Sequence, residues 1–116
     1  MVNKDCLFCK IISGDIQSKK AYEDHVVYAF HDINPQAPTH ILIIPKKHIE
    51  TNLDISETDK DTIGHMFLIA NKLAKDAKID SSGFRTIMNC NKDAGQAVYH
   101  IHLHLLGGRK MSWPPG

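Results

Sequence analysis

His100, His102 and His104 occupy alternate positions in the run His100-Ile101-His102-Leu103-His104-Leu105-Leu106. On an extended strand alternate side chains share a face, so three imidazoles line one side while Ile101, Leu103 and Leu105 pack on the other. Successive histidine Cα atoms would lie about 6.5–7 Å apart. That spacing spreads the rings along a substrate or divides them between two tasks. Three nearly parallel imidazoles do not converge easily on one tetrahedral ion, so a metal would take one and leave the others for chemistry. Neutral imidazole is abundant near pH 7 and is nucleophilic. A half-exposed strand with incidental polar residues is the bland alternative, and strict alternation against branched aliphatics argues against it.

The cysteines form a second group. There are three, an odd count that does not suit the disulfide framework of a secreted domain. Cys6 and Cys9 form a C-x-x-C, and Cys90 reads as an ordinary buried small residue. In a reducing compartment the pair is a metal or redox candidate. Thioredoxin-like chemistry wants a β-α-β context, whereas here the motif opens a short helix after a polar start.

These groups must be held by a small scaffold. A chain of 116 residues suits one domain with a modest core. An apolar fraction of 42% and a net charge of +1 describe a globular protein without the basic excess that a nucleic acid or a membrane surface requires. No apolar run approaches the length of a membrane span and no signal peptide opens the chain, so the expected address is cytoplasmic.

Leu7, Phe8, Ile11 and Ile12 recur at helical spacing before Ser13-Gly14, predicting a short helix. Two strand-like runs follow between about residues 21 and 32. The Pro35 and Pro38 loop is rigid, and Thr39 to Ile44 reads as a buried strand ended by Pro45. A long helix is expected from about Ser56 to Ile79, opened by Ser56 with Asp59 as a capping box. Its apolar stripe is Ile63, Met66, Phe67, Ala70, Leu73, Ala74 and Ala77. Two more strands follow, about Phe84 to Cys90 and Tyr99 to Leu106. Helices and strands do not alternate, so the expected class is α+β, with an antiparallel sheet of about five strands, one long helix and one short one.

The histidine run resembles the H-φ-H-φ-H-φ-φ signature of the histidine triad (HIT) superfamily, and the likeness extends over essentially the whole chain. It is nearest the HINT branch of nucleoside phosphoramidate hydrolases. The supporting segments are Phe30-His31-Asp32-Ile33, Pro35-Gln36-Ala37-Pro38-Thr39-His40, Ile44-Pro45-Lys46-Lys47-His48, Gly95-Gln96, and a tail over residues 107–116 containing Trp113-Pro114-Pro115-Gly116.

The resemblance implies a purine nucleoside 5′-phosphoramidate hydrolase in which His102 attacks phosphorus, a nucleotidyl-His102 forms, and water releases the nucleoside monophosphate. It implies that His104 contacts the α-phosphate and that His40 supports the site. Asn89, Gly95, Gln96, Ala97 and Val98 match phosphate-binding positions, where glycine lets backbone N–H groups come close. Ala97 departs from the serine or threonine usual there, which puts hydroxyl assistance to the leaving group in doubt. Phe30, His31, Asp32 and Ile33 match the surroundings of the nucleoside, with the short Asp32 carboxylate able to accept from both ribose hydroxyls. Leu7, Phe8, Ile11, Phe30 and Ile33 match the apolar walls around the base, or are simply core. Cys6, Cys9, His48 and His100 match a structural, non-catalytic zinc site.

The resemblance also implies a homodimer in which strand 84–90 extends the sheet across the axis and Trp113 of one subunit helps to shape the active site of the other. Two other readings stay open: a dinucleoside polyphosphate hydrolase of the FHIT type, and a non-catalytic nucleotide-binding regulator. The Trp113-Pro114-Pro115-Gly116 ending favours the HINT branch over the first, and an intact His102 counts against the second. A uridylyltransferase is disfavoured by length and by Ile101, where that branch usually has proline.

Overall fold

The computed structural model describes residues 5–116. Helix α1 (Leu7–Ser13) opens from Cys6, an extended N-cap whose sulfur accepts the Cys9 N–H at 3.4 Å. It stops at Gly14, where φ of 88° admits glycine without strain. Strands β1 (Lys20–Glu23), β2 (Val27–His31) and β3 (Thr39–Pro45) follow, then helix α2 (Lys60–Asp76), β4 (Phe84–Ile87) and β5 (Leu103–Gly107). Single 3₁₀ turns occupy Asn52–Asp54, Glu57–Asp59 and Lys92–Ala94. The five strands make one antiparallel sheet in the order β1-β2-β3-β5-β4. No helix among the described residues is long and apolar enough to cross a membrane.

The alternation of β3 and β5 divides the molecule. Ile41, Ile43, Leu103 and Leu105 face one side with Val27 and Ala29 of β2, and α2 covers them with Met66, Ile69, Ala70, Leu73 and Ala74. On the other side Tyr28, Phe30, Leu42 and Ile44 pack under α1 with Phe8, Cys9 and Ile11. His40 and His104 stand on that second face, because Leu42 pairs directly with His104 and His40 lies one repeat away on β3.

Three sequence expectations shift. The long helix begins at Lys60, because Ser56 and Asp59 cap a 3₁₀ turn in front of it: the Ser56 N–H and Oγ–H both donate to Asp59 Oδ2, at 2.9 and 3.1 Å. It ends at Asp76 rather than Ile79. There the Ile79 N–H donates to Ala74 O and the Lys78 N–H to Lys75 O, a Schellman closure with Lys78 at φ 60°. Within the stripe Ile69 replaces Phe67 and Ala77, which are exposed.

The histidine segment is also shorter as a strand than expected, since β5 starts only at Leu103. Its partner β3 ends at Pro45, which has no N–H to offer, and the Pro45 carbonyl accepts from His100 Nε2–H at 2.7 Å instead. The Ile101 N–H donates to Ile49 O. So only His104 of the three is on a strand, while Ile101, Leu103 and Leu105 still face the core as the alternation requires. Strand β4 likewise stops at Ile87 rather than Cys90, before Asn91 turns the chain at φ 65°. Cys90 itself is half-buried rather than core.

Candidate active site

A cavity of about 380 Å³ opens on the α1 side of the sheet, within the size range of small-ligand sites, roughly 300–1,000 Å³. It brings together thirteen of the fourteen positions expected to meet a nucleotide. Leu7, Phe8, Ile11, Phe30 and Ile33 supply apolar wall, His31 and Asp32 one polar flank, and Asn89, Gly95, Ala97 and Val98 the loop opposite, with His102 and His104 between. Gln96 is the exception. Its buried side chain turns inward, where Nε2–H donates to Glu50 O and Val98 O and Oε1 accepts the Asn91 N–H. The Gln96 N–H is also taken, by Asn91 O. Gln96 therefore holds the loop that carries Gly95 and Ala97.

The backbone sets the tautomer of each histidine. A carbonyl can only accept, so the 2.8 Å contact from His102 Nδ1 to His100 O puts the proton on Nδ1 and leaves the Nε2 lone pair free. His40 Nδ1 accepts the Gln36 N–H at 3.0 Å, so neutral His40 carries its proton on Nε2. That N–H donates to His104 Nδ1 at 2.9 Å, with the Asp32 carboxylate at 3.5 Å. The His104 proton must then reside on Nε2. His40 lies behind His104, outside the cavity lining, and orients it.

Burial keeps these rings neutral. It pushes His104 down to about 4, helped by the neighbouring rings of His102 and His40 and opposed by Asp32. His102 is lowered by burial, against the His100 carbonyl and Asp32. His40 is lowered by burial and partly restored by Asp32. Near neutral pH the site therefore presents an unprotonated Nε2 on His102 beside an N–H donor on His104, their ring centroids 5.0 Å apart. Phe8 stands edge-on to His102 at 5.0 Å and to Phe30 at 5.5 Å, fixing the floor. A lone-pair nucleophile, an adjacent donor for an anionic oxygen and an apolar slot suit attack on a phosphoryl group joined to a flat base.

Cys6, Cys9, His48 and His100 converge separately, their ligand atoms all within 4.8 Å of one another. His48 and His100 Nδ1 are 3.2 Å apart, and Cys9 Sγ lies 3.4 and 3.5 Å from them. Cys6 Sγ is 3.4 Å from His100 Nδ1. Tetrahedral bonds of ordinary Zn–N and Zn–S length would set such edges at about 3.3 and 3.6 Å. His100 donates its Nε2–H to Pro45 O, so its Nδ1 lone pair faces the sulfurs, and burial pushes this ring down to about 4. The donor set fits a soft divalent ion. Asp32, His40 and His104 also cluster within 4.8 Å. There the hydrogen bond from Gln36 keeps the His40 proton on the Nε2 that would have to ligate, so that group is a hydrogen-bonded relay.

Sequence reasoning missed Ile16, Gln17, Ser18 and Leu42, all of which line the cavity. Leu42 sits on a strand already read as buried, and its facing partner His104 was the available signal. Residues 16–18 lie in an aperiodic link that carried none. Trp113 is 81% exposed, with the Arg85 guanidinium 6.0 Å from its ring, and it does not line the cavity within this chain.

Known proteins resemble this chain in sequence and in fold. A purine nucleoside phosphoramidase of Escherichia coli (strain K12) is 49% identical over 108 residues, 93% of this chain and 91% of its own. The crystal structure of a HIT family hydrolase from Legionella pneumophila Philadelphia 1 is 52% identical with a TM-score of 0.95, covering 97% of this chain and all of that one. A histidine triad protein from Clostridium difficile is 48% identical with a TM-score of 0.93 over 97% of both chains. Residues 13–111 match the HIT domain itself, and with the sheet and both helices matching those neighbours, the chain belongs to the HIT domain family.

Proposed function

We propose that the protein is a purine nucleoside 5′-phosphoramidate hydrolase working through a nucleotidyl-His102 intermediate. The observation that carries this reading is the 2.8 Å bond from His102 Nδ1–H to His100 O, which leaves Nε2 as a lone-pair nucleophile on the cavity. His102 Nε2 attacks phosphorus, the P–N bond to the amine breaks, and the departing amine takes a proton from water. A second water then attacks phosphorus and gives its proton to the hydroxide left by the first, the bond to His102 breaks with its electron pair returning to Nε2, and a nucleoside monophosphate leaves. His104 Nε2–H donates to a phosphoryl oxygen as negative charge builds. Asp32 accepts from the ribose hydroxyls, and the apolar walls from Leu7 to Ile33 hold the base. Ala97 lines the loop without a hydroxyl for the leaving amine.

The same reading places a zinc ion in the Cys6, Cys9, His48 and His100 cluster, where it would supply a closed structural cross-link. It also makes the protein a cytoplasmic homodimer with the tail at about 107–116 reaching the partner's site. Phe67 and Leu68, exposed on α2 at 44% and 65%, support a covered face there, as does the exposed Trp113. Light scattering near 13 kDa would remove the dimer.

The test of the function is direct. His102→Asn should abolish turnover of adenosine 5′-phosphoramidate while AMP binding stays within about tenfold. Wild-type protein quenched during turnover should gain the mass of one nucleotidyl group. Substantial turnover by the variant would sink the assignment. Faster turnover of diadenosine polyphosphates than of phosphoramidates would move the chain to the FHIT type of activity.

A further inference from the structure

The phosphoryl end of the cavity is crowded with polar groups and its middle is apolar. The remaining polar lining, on the aperiodic link ahead of β1, is Gln17 and Ser18. Sheet geometry locates them. Phe30, Leu42 and His104 stand side by side on β2, β3 and β5, so Phe30 and His104 are two strand spacings apart. Tyr28 lies one repeat further along β2 on the same face, its ring 6.1 Å from that of Phe30. The backbone separation from His104 to Tyr28 is thus roughly 12 Å, a span comparable with the reach of a nucleoside monophosphate from phosphorus to the far edge of its base. Ser18 Oγ lies 2.8 Å from Tyr28 Oη. Ser18 is half-buried and Gln17 exposed on the rim beside it.

We propose that Ser18, backed by Tyr28 and flanked by Gln17, reads the polar edge of the purine and accepts both 6-amino and 6-oxo bases. Each group can present either sign of hydrogen bond. When Tyr28 donates to Ser18, the Ser18 proton is free to meet a ring nitrogen or a 6-oxo oxygen. When Ser18 donates to Tyr28, its lone pairs can accept from a 6-amino group or a protonated ring nitrogen. The Gln17 amide carries a donor and an acceptor side by side and adapts by rotation. A rotatable pair of this kind distinguishes a base with a polar edge from an apolar ring, and discriminates weakly between adenine and guanine.

This inference rests on the nucleotide reading of the cavity and assigns the specificity of its far end. Dissociation constants for AMP and GMP, and kcat/KM for adenosine and guanosine 5′-phosphoramidates, should be measured for wild type, Ser18→Ala and Gln17→Glu. Ribose 5-phosphate, which has no base, is the control ligand. Ser18→Ala should raise Kd and KM three- to tenfold for both purines with kcat within twofold, and leave ribose 5-phosphate inhibition unchanged. Gln17→Glu offers only acceptors. It should shift the guanosine-to-adenosine ratio of kcat/KM at least fivefold toward guanosine, whose ring N–H and 2-amino group both donate. Unchanged constants and an unchanged ratio would overturn the proposal, as would an equal loss for ribose 5-phosphate, which marks a merely structural effect. Wild-type protein that binds AMP and GMP without hydrolysing phosphoramidates would refute the hydrolase and leave the binding arm to judge Ser18 and Gln17. Protein that binds neither would refute both.

Discussion

His40 makes two separable contacts, and two substitutions should separate them. Its Nδ1 accepts the Gln36 N–H at 3.0 Å and its Nε2–H serves His104 at 2.9 Å, with the side chain only 4% exposed. In His40→Asn the amide oxygen falls where Nδ1 was and can still accept from Gln36, while nothing reaches His104. In His40→Gln the longer amide can place an N–H where Nε2–H was, but the Gln36 N–H loses its acceptor. The Gln36–His40 bond is only half-buried, and an N–H left without a partner there costs upward of about 1 kcal/mol, more than the roughly 1 kcal/mol of an ordinary lost hydrogen bond to the extent that water is kept from it. The Gln variant should therefore melt about 4–8 °C below the Asn variant. Activity should follow the opposite order. Freeing His104 to take either tautomer should cost about 10–100-fold in kcat, or roughly 1.4–2.7 kcal/mol, in the Asn variant. His40→Gln should recover most of that loss. Differential scanning calorimetry and steady-state turnover of adenosine 5′-phosphoramidate read the two effects. If both variants lose activity equally, or the more stable one is also the more active, the relay from Gln36 through His40 to His104 is wrong.

Metal analysis of protein purified without chelator should find about one zinc per chain. Cys9→Ser should then lower the melting temperature by at least about 10 °C, roughly 3 kcal/mol, while kcat below the transition changes little. Asp24 governs part of the acid limb: burial raises its carboxyl, but His65 at 2.6 Å, the Val27 and Val26 N–H groups and the Tyr22 hydroxyl outweigh this and hold it well below the usual range. A folded pKa below the unfolded value of about 3.9 gives stability that is full above that pH and lost as pH falls through the folded pKa. Asp24→Asn should cost about 2 kcal/mol at pH 7 and flatten the decline in melting temperature below about pH 4. Lys78→Gly should raise stability by about 0.5–1 kcal/mol, since Lys78 closes α2 at φ 60°, where glycine has no steric penalty.

Much of the site was legible because it follows from alternation. Once His40 and Leu42 are on β3 and His104 on β5, pleating alone brings them to one face, and Leu103 and Leu105 to the other. Helix α1 was legible to the residue, since Phe8 and Ile11 set its inner face and Gly14 its end, although Leu7, read with them, is exposed. Two kinds of information were missing. The tautomers depend on the carbonyls of Pro45 and His100 and on the N–H of Gln36, main-chain groups that look alike at every position of a sequence. The reach of each element depends on its partner: β5 begins late because β3 runs out at Pro45, and α2 ends early because a lysine takes the left-handed position usually marked by glycine. Gln17 and Ser18 were invisible for a plainer reason: an aperiodic link has no face until the strand beside it is in place.

The separation along the chain of the groups that meet on the α1 side has a consequence for how the molecule is made. Cys6 meets His100 across 94 residues and His40 meets His104 across 64. At roughly 5–20 residues per second of synthesis, Cys6 and Cys9 wait on the order of 5–20 s for their second histidine. During that interval they are a dithiol joined only by the first turn of a short helix, open to oxidants and to stray soft metals. The segment that brings His100 to the sulfurs also carries His102 and His104 to the cavity, so the cysteine cluster and the cavity are completed by the same late stretch of chain.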